Sequence, residues 1–332
     1  MATLLVRGCV FGDTGETGDL LVDGGRITAR GPGLEPPADP DPDEEHVEFD
    51  AAGLTALPGA IDALAQIAAP RGPGAPADDL GSGTIAAARG GVTTVVAPVV
   101  PGLSETLDVA FHDAERRASG NVLVDYAFVL GLGRPTTETP ERLQGIGFHR
   151  GFAGAFLDLD AVDQAAVAGP GAILRLAAVS DVPITVRAAG RLGAEAERVR
   201  VETLSSLGAL ADIAPHIAPL VSAAAVDALA GGIVTGSAGL AQLCLDELPT
   251  GLEVRPALVS EDDRAAVWAA LADGRLEGVV TDHHGEPMGG ADAWIGISSI
   301  ELLVPALLTH GVAAGRIDLP TLCAIIAERP AR

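Results

Sequence analysis

From residue 54 onward, short apolar runs alternate with Ala-rich stretches whose apolar positions recur at helical spacing. The runs predict strands at Leu54–Ile61, Val92–Pro98, Val122–Leu130, Gly151–Leu157, Val182–Arg187, His216–Ser222, Gly232–Thr235 and Gly278–Asp282. The stretches between them predict helices at Leu80–Arg89, Glu105–Ala118, Ala161–Ala178, Ala194–Leu210, Ala223–Ala230 and Asp262–Asp273. Further helices are expected at Ser298–His310 and Leu319–Glu328. Several strand runs are continuously apolar rather than alternating, as in a parallel sheet buried on both faces. Strand and helix taking turns eight times predict an α/β fold, a (β/α)8 TIM-like barrel. A doubly wound open sheet would need fewer strands and a Gly-rich phosphate loop after the first, and no such loop is present.

The first residues follow a different pattern. Thr3–Val10 alternates weakly, Asp19–Val22 is a second run, and Gly24-Gly25 marks a turn before Arg26-Ile27-Thr28. Residues 31–45 are mostly Gly, Pro, Asp and Glu and predict a loop; His46–Phe49 re-enters order. The chain therefore divides into a small β domain over residues 1–53 and a barrel over 54–332.

Composition narrows the picture. Hydrophobic residues make up 48% and aromatics only 3%, so the core is built from Ala, Val, Leu and Ile. The formal net charge of −24 repels phosphate backbones and argues against nucleic-acid partners. It fits a solubilising surface or a salt-rich surrounding equally well. No apolar run reaches the roughly 18 residues of a membrane span, and the N-terminus lacks a signal-peptide layout, so a cytoplasmic location is expected. Cys9, Cys244 and Cys323 are too scattered for a disulfide framework or zinc knuckle. The chain contains no lysine.

Three passages together resemble the amidohydrolase superfamily, in its dihydroorotase and allantoinase branch. They are Asp50-Ala-Ala-Gly-Leu-Thr-Ala-Leu-Pro-Gly-Ala-Ile-Asp62, Ala86-Ala-Ala-Arg-Gly-Gly-Val-Thr-Thr-Val-Val96, and the stretch from Ser260 through Val280-Thr-Asp-His283 to Trp294-Ile-Gly-Ile-Ser-Ser-Ile-Glu301. The closing Arg329-Pro-Ala-Arg332 continues the third. The resemblance implies a barrel with a composite β-sandwich beside it, here reduced. It implies hydrolysis of a cyclic amide, with zinc generating hydroxide and an aspartate after the last strand moving the proton. It also implies that relatives continue past the position of Arg332 to complete the small β layer. Either that layer is reduced here, or a partner, whether an enzyme or a second copy of the chain, covers its open edge.

At the positions where the resemblance implies metal ligands, the chain carries other chemistry. The first-strand aspartate, Asp62, should precede a His-x-His pair; Leu64 and Gln66 stand there instead, and Ala68 replaces an arginine. The fourth-strand carboxylated lysine is excluded in a lysine-free chain, leaving Asp158 or Asp160 as the nearest substitutes. A His-Ala-Glu on the fifth strand reads Arg187-Ala188-Ala189, and Arg, a fixed cation, repels zinc. The sixth-strand histidine reads Leu220, ahead of Val221-Ser222. A Met-Pro-Asn turn reads Ala97-Pro98-Val99, and an Asn-Pro-Pro-Leu-Arg motif reads Arg255 to Val259. Thr281-Asp282-His283 retains the aspartate, a vestige of the proton shuttle.

Three readings remain open. The first is a non-catalytic partner linked to pyrimidine biosynthesis, with no metal cofactor expected; by family analogy it would support an enzyme such as aspartate carbamoyltransferase. The second is a divergent hydrolase around Asp282, with His216, His283 and His284 holding a single ion. The third is a metal-free binder in which Arg187 and Arg255 grip a small anion.

Overall fold

The computed structural model describes residues 3–36, 46–68, 78–102, 104–132, 136, 138–160, 169–189, 193–230, 233–248, 254, 256–284 and 297–332. They form two compact units: Met1–Pro58 with Leu319–Ala324, and Gly59–Asp318 with Ile325–Arg332.

In the smaller unit, β1 (Thr3–Phe11) runs antiparallel to β2 (Thr17–Asp23), which pairs antiparallel with β3 (Arg26–Gly31). Gly24 and Gly25 make the expected hairpin turn, with φ of +56° and +75°, a backbone region that disfavours a Cβ. On its other side β1 pairs parallel with β4 (His46–Asp50) and with β5 (Thr55–Ala56). Cys9, Phe11 and Ala51 form a small core.

The larger unit is the barrel. Its strands are β6 (Ala60–Asp62), β7 (Val92–Val99), β8 (Asp125–Gly131), β9 (Phe152–Asp158), β10 (Ile184–Arg187), β11 (His216–Leu220), β12 (Thr235–Gly239) and β13 (Gly278–Val280). Each pairs parallel with the next in chain order. The ring closes just beyond the ends of β6 and β13. There Asp282 N–H donates to Leu64 O at 2.9 Å, Gln66 N–H donates to His283 O at 2.9 Å, and Ala65 bridges His283. Inside the ring, Leu64, Val129, Phe156, Ala218 and Val280 pack as one apolar layer. This is the filled interior expected of such a barrel, built almost wholly from aliphatic residues.

Helices cover the strands, and local chemistry sets their ends. Helix α1 (Leu80–Arg89) begins at a capping box made by Asp79 and Ser82. It ends at Gly90, where a Cβ would press on the carbonyls of Ile300 and Glu301. Helix α2 (Leu107–Ala118) buries Leu107, Ala110, Phe111, Ala114 and Ala118, one stripe at helical spacing. After α3 (Thr139–Ile146), α4 (Pro170–Ser180), α5 (Gly193–Ala211), α6 (Ala223–Leu229) and α7 (Leu240–Cys244) comes α8 (Glu261–Asp273). Ser260 caps α8, three acidic residues fill its first turn, and Gly274 ends it with φ +84°.

Several expected elements shift. The strand expected over Leu54–Ile61 is two, β5 and β6, divided by Pro58-Gly59. The strand expected at Gly232–Thr235 is β12, displaced toward the C-terminus into Thr-Gly-Ser-Ala-Gly. That sequence lacks the bulk of a usual strand because a Cβ at Gly236 would collide with the Leu220 side chain. Helices α3 and α7 lack a strong apolar repeat and escaped the sequence reading. The helix expected over Ala161–Ala178 is described from Pro170, and residues 161–168 lie outside the described set. The closing helices are mixed, with a 3-10 turn at Ile300–Leu302 and π turns at Leu307–Ala313 and Ala324–Glu328. Among the described residues, no helix is long and apolar enough to cross a membrane.

One buried carboxylate ties a helix to the barrel. Glu197 of α5 accepts from Ser222 Oγ at 2.5 Å and from Val221 N–H at 2.9 Å. Ser222 Oγ in turn caps α6 by accepting from Ala225 N–H. Burial raises the Glu197 pKa to about 7. Glu197→Ala leaves two buried donors unmatched and opens a cavity, so it should cost about 2–3 kcal/mol in urea unfolding. Glu197→Gln keeps an acceptor and most of the volume and should cost under about 1 kcal/mol. Equal losses from the two substitutions would show that the second carboxylate oxygen, and not the side chain's volume, sets the energy there.

Candidate active site

Barrels of this kind place chemistry at the C-terminal ends of their strands. Here that end gathers Asp62, Leu64 and Gln66 after β6, Asp158 at the end of β9, Arg187 at the end of β10, and Thr281-Asp282-His283 after β13. Parallel pairing sets the register that brings them together, with Arg187 opposite Asp158.

Arg187 lies at the centre. Its Nη2 donates to Asp282 Oδ1, and its Nη1 stands 3.5 Å from Asp158 Oδ2. The guanidinium also lies over the Phe156 ring, 6.0 Å from its centroid. Gln66 Nε2 donates to the same Asp282 oxygen at 2.9 Å. Arg187 and Asp282 are both nearly out of water, with side chains 12% and 10% exposed, so the two opposite charges face each other in a desolvated place. Burial raises the Asp282 pKa while Arg187 and Gln66 oppose that rise. Asp282 has φ +47°, a left-handed turn that Asp tolerates better than bulky residues do.

Asp62 is fully buried one layer below. Its Oδ1 accepts from Leu64 N–H at 3.2 Å and Thr281 N–H at 3.1 Å, and its Oδ2 accepts from Thr281 Oγ1. Burial raises its pKa to about 7. The carboxyl therefore pins β6 to β13 at the point where the ring closes.

The histidines read as candidate ligands divide. His283 is 2% exposed, and both its ring nitrogens are in use. Nε2 lies 3.0 Å from Asp78 Oδ2, while Nδ1 accepts from Ser299 N–H at 3.1 Å and Ile300 N–H at 3.2 Å. Its lone pair is thus spent on the start of the closing helix. Burial lowers the His283 pKa, and Asp78 pulls it the other way. His284 is buried, and its pKa is lowered by burial, then by the nearby Arg187 charge. His216 is elsewhere. It opens β11, at the opposite end of the barrel from Asp282, and bonds Thr235 Oγ1 at 2.8 Å and Ser237 Oγ at 3.0 Å. Burial lowers its pKa to about 4. The grouping of His216 with Asp282 and His283 around one ion therefore does not form, because the strand separates them along its length.

Other expected positions are equally plain. Leu64 and Leu220 are fully buried apolar side chains. Asp160 pairs with Arg200 at 2.8 Å. Ala97 and Val99 are buried. Arg255, read as a companion of Arg187, lies outside the described residues. Zinc needs lone pairs from imidazole, thiolate or carboxylate. Of the five implied positions, Leu64 and Leu220 have none, Gln66 is an amide bonded to Asp282, Arg187 is a cation resting on that carboxylate, and the fourth-strand position is left to Asp158, which faces the same cation. Among the described residues, those at the implied positions do not fit a zinc centre.

No family model matches the chain. It is 30% identical over 342 residues to a dihydroorotase of Halobacterium salinarum, covering 92% of this chain and 76% of that protein. It is 28% identical over 362 residues to a dihydroorotase of Geotalea daltonii, covering 96% and 80%. The chain belongs to the amidohydrolase superfamily of cyclic amidohydrolases. Its fold matches the crystal structure of dihydropyrimidinase from Brevibacillus agri NCHU1002 with a TM-score of 0.86 at 24% identity, over 99% of this chain and 81% of that one. In this member of the superfamily, the barrel end that carries the family's chemistry is occupied by an ion-paired arginine.

Sequence reading missed three participants. Thr281 as the donor to Asp62 and Asp78 as the partner of His283 are contacts between residues far apart in the chain, with no local signal. Asp158 as the second carboxylate at Arg187 was visible only as a stand-in ligand.

Two predictions follow from these contacts. Arg187→Met leaves Asp282 buried and unpaired and should cost about 3–5 kcal/mol in urea unfolding, much of it recovered in the Arg187→Met/Asp282→Asn double variant. A single-variant loss below about 1 kcal/mol would mean that the pair contributes nothing to folding. Asp62 has a folded pKa above its unfolded value, so its contribution is complete below pH 3.8 and declines as pH rises toward about 7. Asn at this position imitates the protonated form. The stability of Asp62→Asn relative to the native chain should therefore rise between pH 4 and pH 7, by up to about 1.4 kcal/mol per pH unit. A difference independent of pH would show that Asp62 is ionised throughout.

Proposed function

We propose that this chain is a non-catalytic member of the cyclic amidohydrolases, linked to pyrimidine synthesis as a partner of another enzyme. One observation carries the reading: the carboxylate that would move protons is held by Arg187 and Gln66, themselves standing at positions where the resemblance implies metal ligands. The implied ligand positions around Asp282 hold the apolar Leu64 and Leu220, the Gln66 amide and the Arg187 cation, which offer zinc no imidazole, and a buried carboxylate held by a cation neither activates water nor stabilises an oxyanion. Leu64, packed among Val129, Phe156, Ala218 and Val280, makes the loss part of the core rather than a surface variation.

The geometry weighs against the other two readings. A divergent hydrolase needs His216 near Asp282, and the two lie at opposite ends of the barrel. An anion binder needs a cation to spare, and Arg187 already faces two carboxylates. The partner is proposed by family analogy, with an enzyme of the aspartate carbamoyltransferase kind as the first to try; the fold by itself does not name it.

The purified chain, with and without added zinc, should turn over dihydroorotate, allantoin and hydantoin no faster than buffer does. Tagged and recovered from its native cells, it should elute in a stoichiometric complex with a larger enzyme. Turnover that disappears in Asp282→Asn would overturn the non-catalytic reading. A clean monomer recovered at native abundance would overturn the partner.

A further inference from the structure

A second convergence of ligating side chains lies on the outer wall of the barrel, away from the strand ends. His112 and Glu115 stand one turn apart on the exposed face of α2, opposite its buried stripe, and His112 Nδ1 is 3.0 Å from Glu115 Oε2. His149 comes from the turn between α3 and β9. One donor atom from each of the three lies within 4.8 Å of the other two. Ligands sharing an ion at about 2.1 Å in tetrahedral geometry stand about 3.4 Å apart, so modest side-chain rotations complete the set.

The three are held in place rather than merely neighbours. The imidazoles of His112 and His149 meet edge to face, with centroids 5.0 Å apart. Phe111, fully buried, stands edge-on to both at 5.5 and 5.8 Å, and is itself backed by Phe128 and Phe152. The turn carrying His149 is fixed by two backbone bonds, His149 N–H to Ile146 O at 2.8 Å and Phe152 N–H to His149 O at 3.3 Å. The cations of the same helix, Arg116 and Arg117, are held by Asp113.

We propose that His112, Glu115 and His149 bind one divalent transition-metal ion on the barrel's outer wall. Two imidazole nitrogens and one carboxylate oxygen favour zinc, cobalt, nickel or copper over magnesium and calcium, which prefer all-oxygen sites. Three protein ligands leave a coordination position for water or for a group from outside the chain. The ion ties α2 to the turn that leads into β9, two segments otherwise joined through Phe111, so binding stabilises the folded chain.

Titration of the full chain with zinc chloride, by calorimetry and by equilibrium dialysis, should give a saturable equivalent that excess magnesium does not displace. His112→Ala and His149→Ala should each weaken it at least tenfold, and Glu115→Gln should weaken it less. The Arg187→Met/Asp282→Asn double variant should leave it unchanged, which separates this site from the barrel's strand ends. Zinc should raise the melting temperature of the native chain and not that of His149→Ala. Both histidines are exposed, and circular dichroism of the two variants should match the native chain. Absence of saturable binding up to 1 mM zinc, or binding that survives both histidine substitutions, would overturn the proposal.

Discussion

A carboxylate removed from water needs a partner or a proton, and at the strand ends of this barrel Asp282 has Arg187. The guanidinium reaches Asp282 and Asp158 together, lies over Phe156, and shares the Asp282 oxygen with the Gln66 amide. Desolvation makes the arrangement all-or-none: one partner without the other is a buried charge, and the cost of that exceeds what the pair contributes. The same contacts decide the chemistry. A metal at this place would have to displace the cation that faces Asp282 and Asp158.

Closure of the ring depends on the neighbouring contacts. Between β6 and β13 the Asp62 carboxyl gathers three donors, and the backbone of Asp282 and His283 continues the ladder past the strand ends. Leu64 then turns inward onto Val280 and Phe156. His283 faces the other way and holds the first turn of the closing helices through Ser299 and Ile300. Thr281-Asp282-His283 is thus a structural joint. At the opposite end, His216 serves Thr235 and Ser237 and remains neutral in its buried place.

Much of this was legible in the chain. The eight strand runs and their intervening helices gave the barrel because continuous apolar stretches are a direct consequence of burial on both faces. The Gly24-Gly25 turn came from local chemistry that the structure uses in the same form, and α1 and α8 came from Ala-rich stretches whose caps only the structure shows. The shift of β12 was not readable, because its small residues answer to the Leu220 side chain on the adjacent strand. The convergence of Gln66, Arg187 and Asp282 followed from the register of the resemblance, but its form as an ion pair did not. Bonds such as Asp62 to Thr281 and His283 to Asp78 join residues separated by most of the chain, and no periodicity encodes them. The outer-wall cluster was not read from the sequence: His112 and Glu115 come together through the turn of α2, and His149 arrives through the packing of Phe111.

Zinc anomalous diffraction from crystals of the full chain, grown without chelator and soaked in zinc chloride, tests the central claim most directly. An anomalous peak beside His112, Glu115 and His149, with none within reach of Asp282 and with Arg187 still on that carboxylate, is the predicted result. A strong peak coordinated by Asp282, with the guanidinium swung away, would contradict the claim and return the strand ends to metal chemistry.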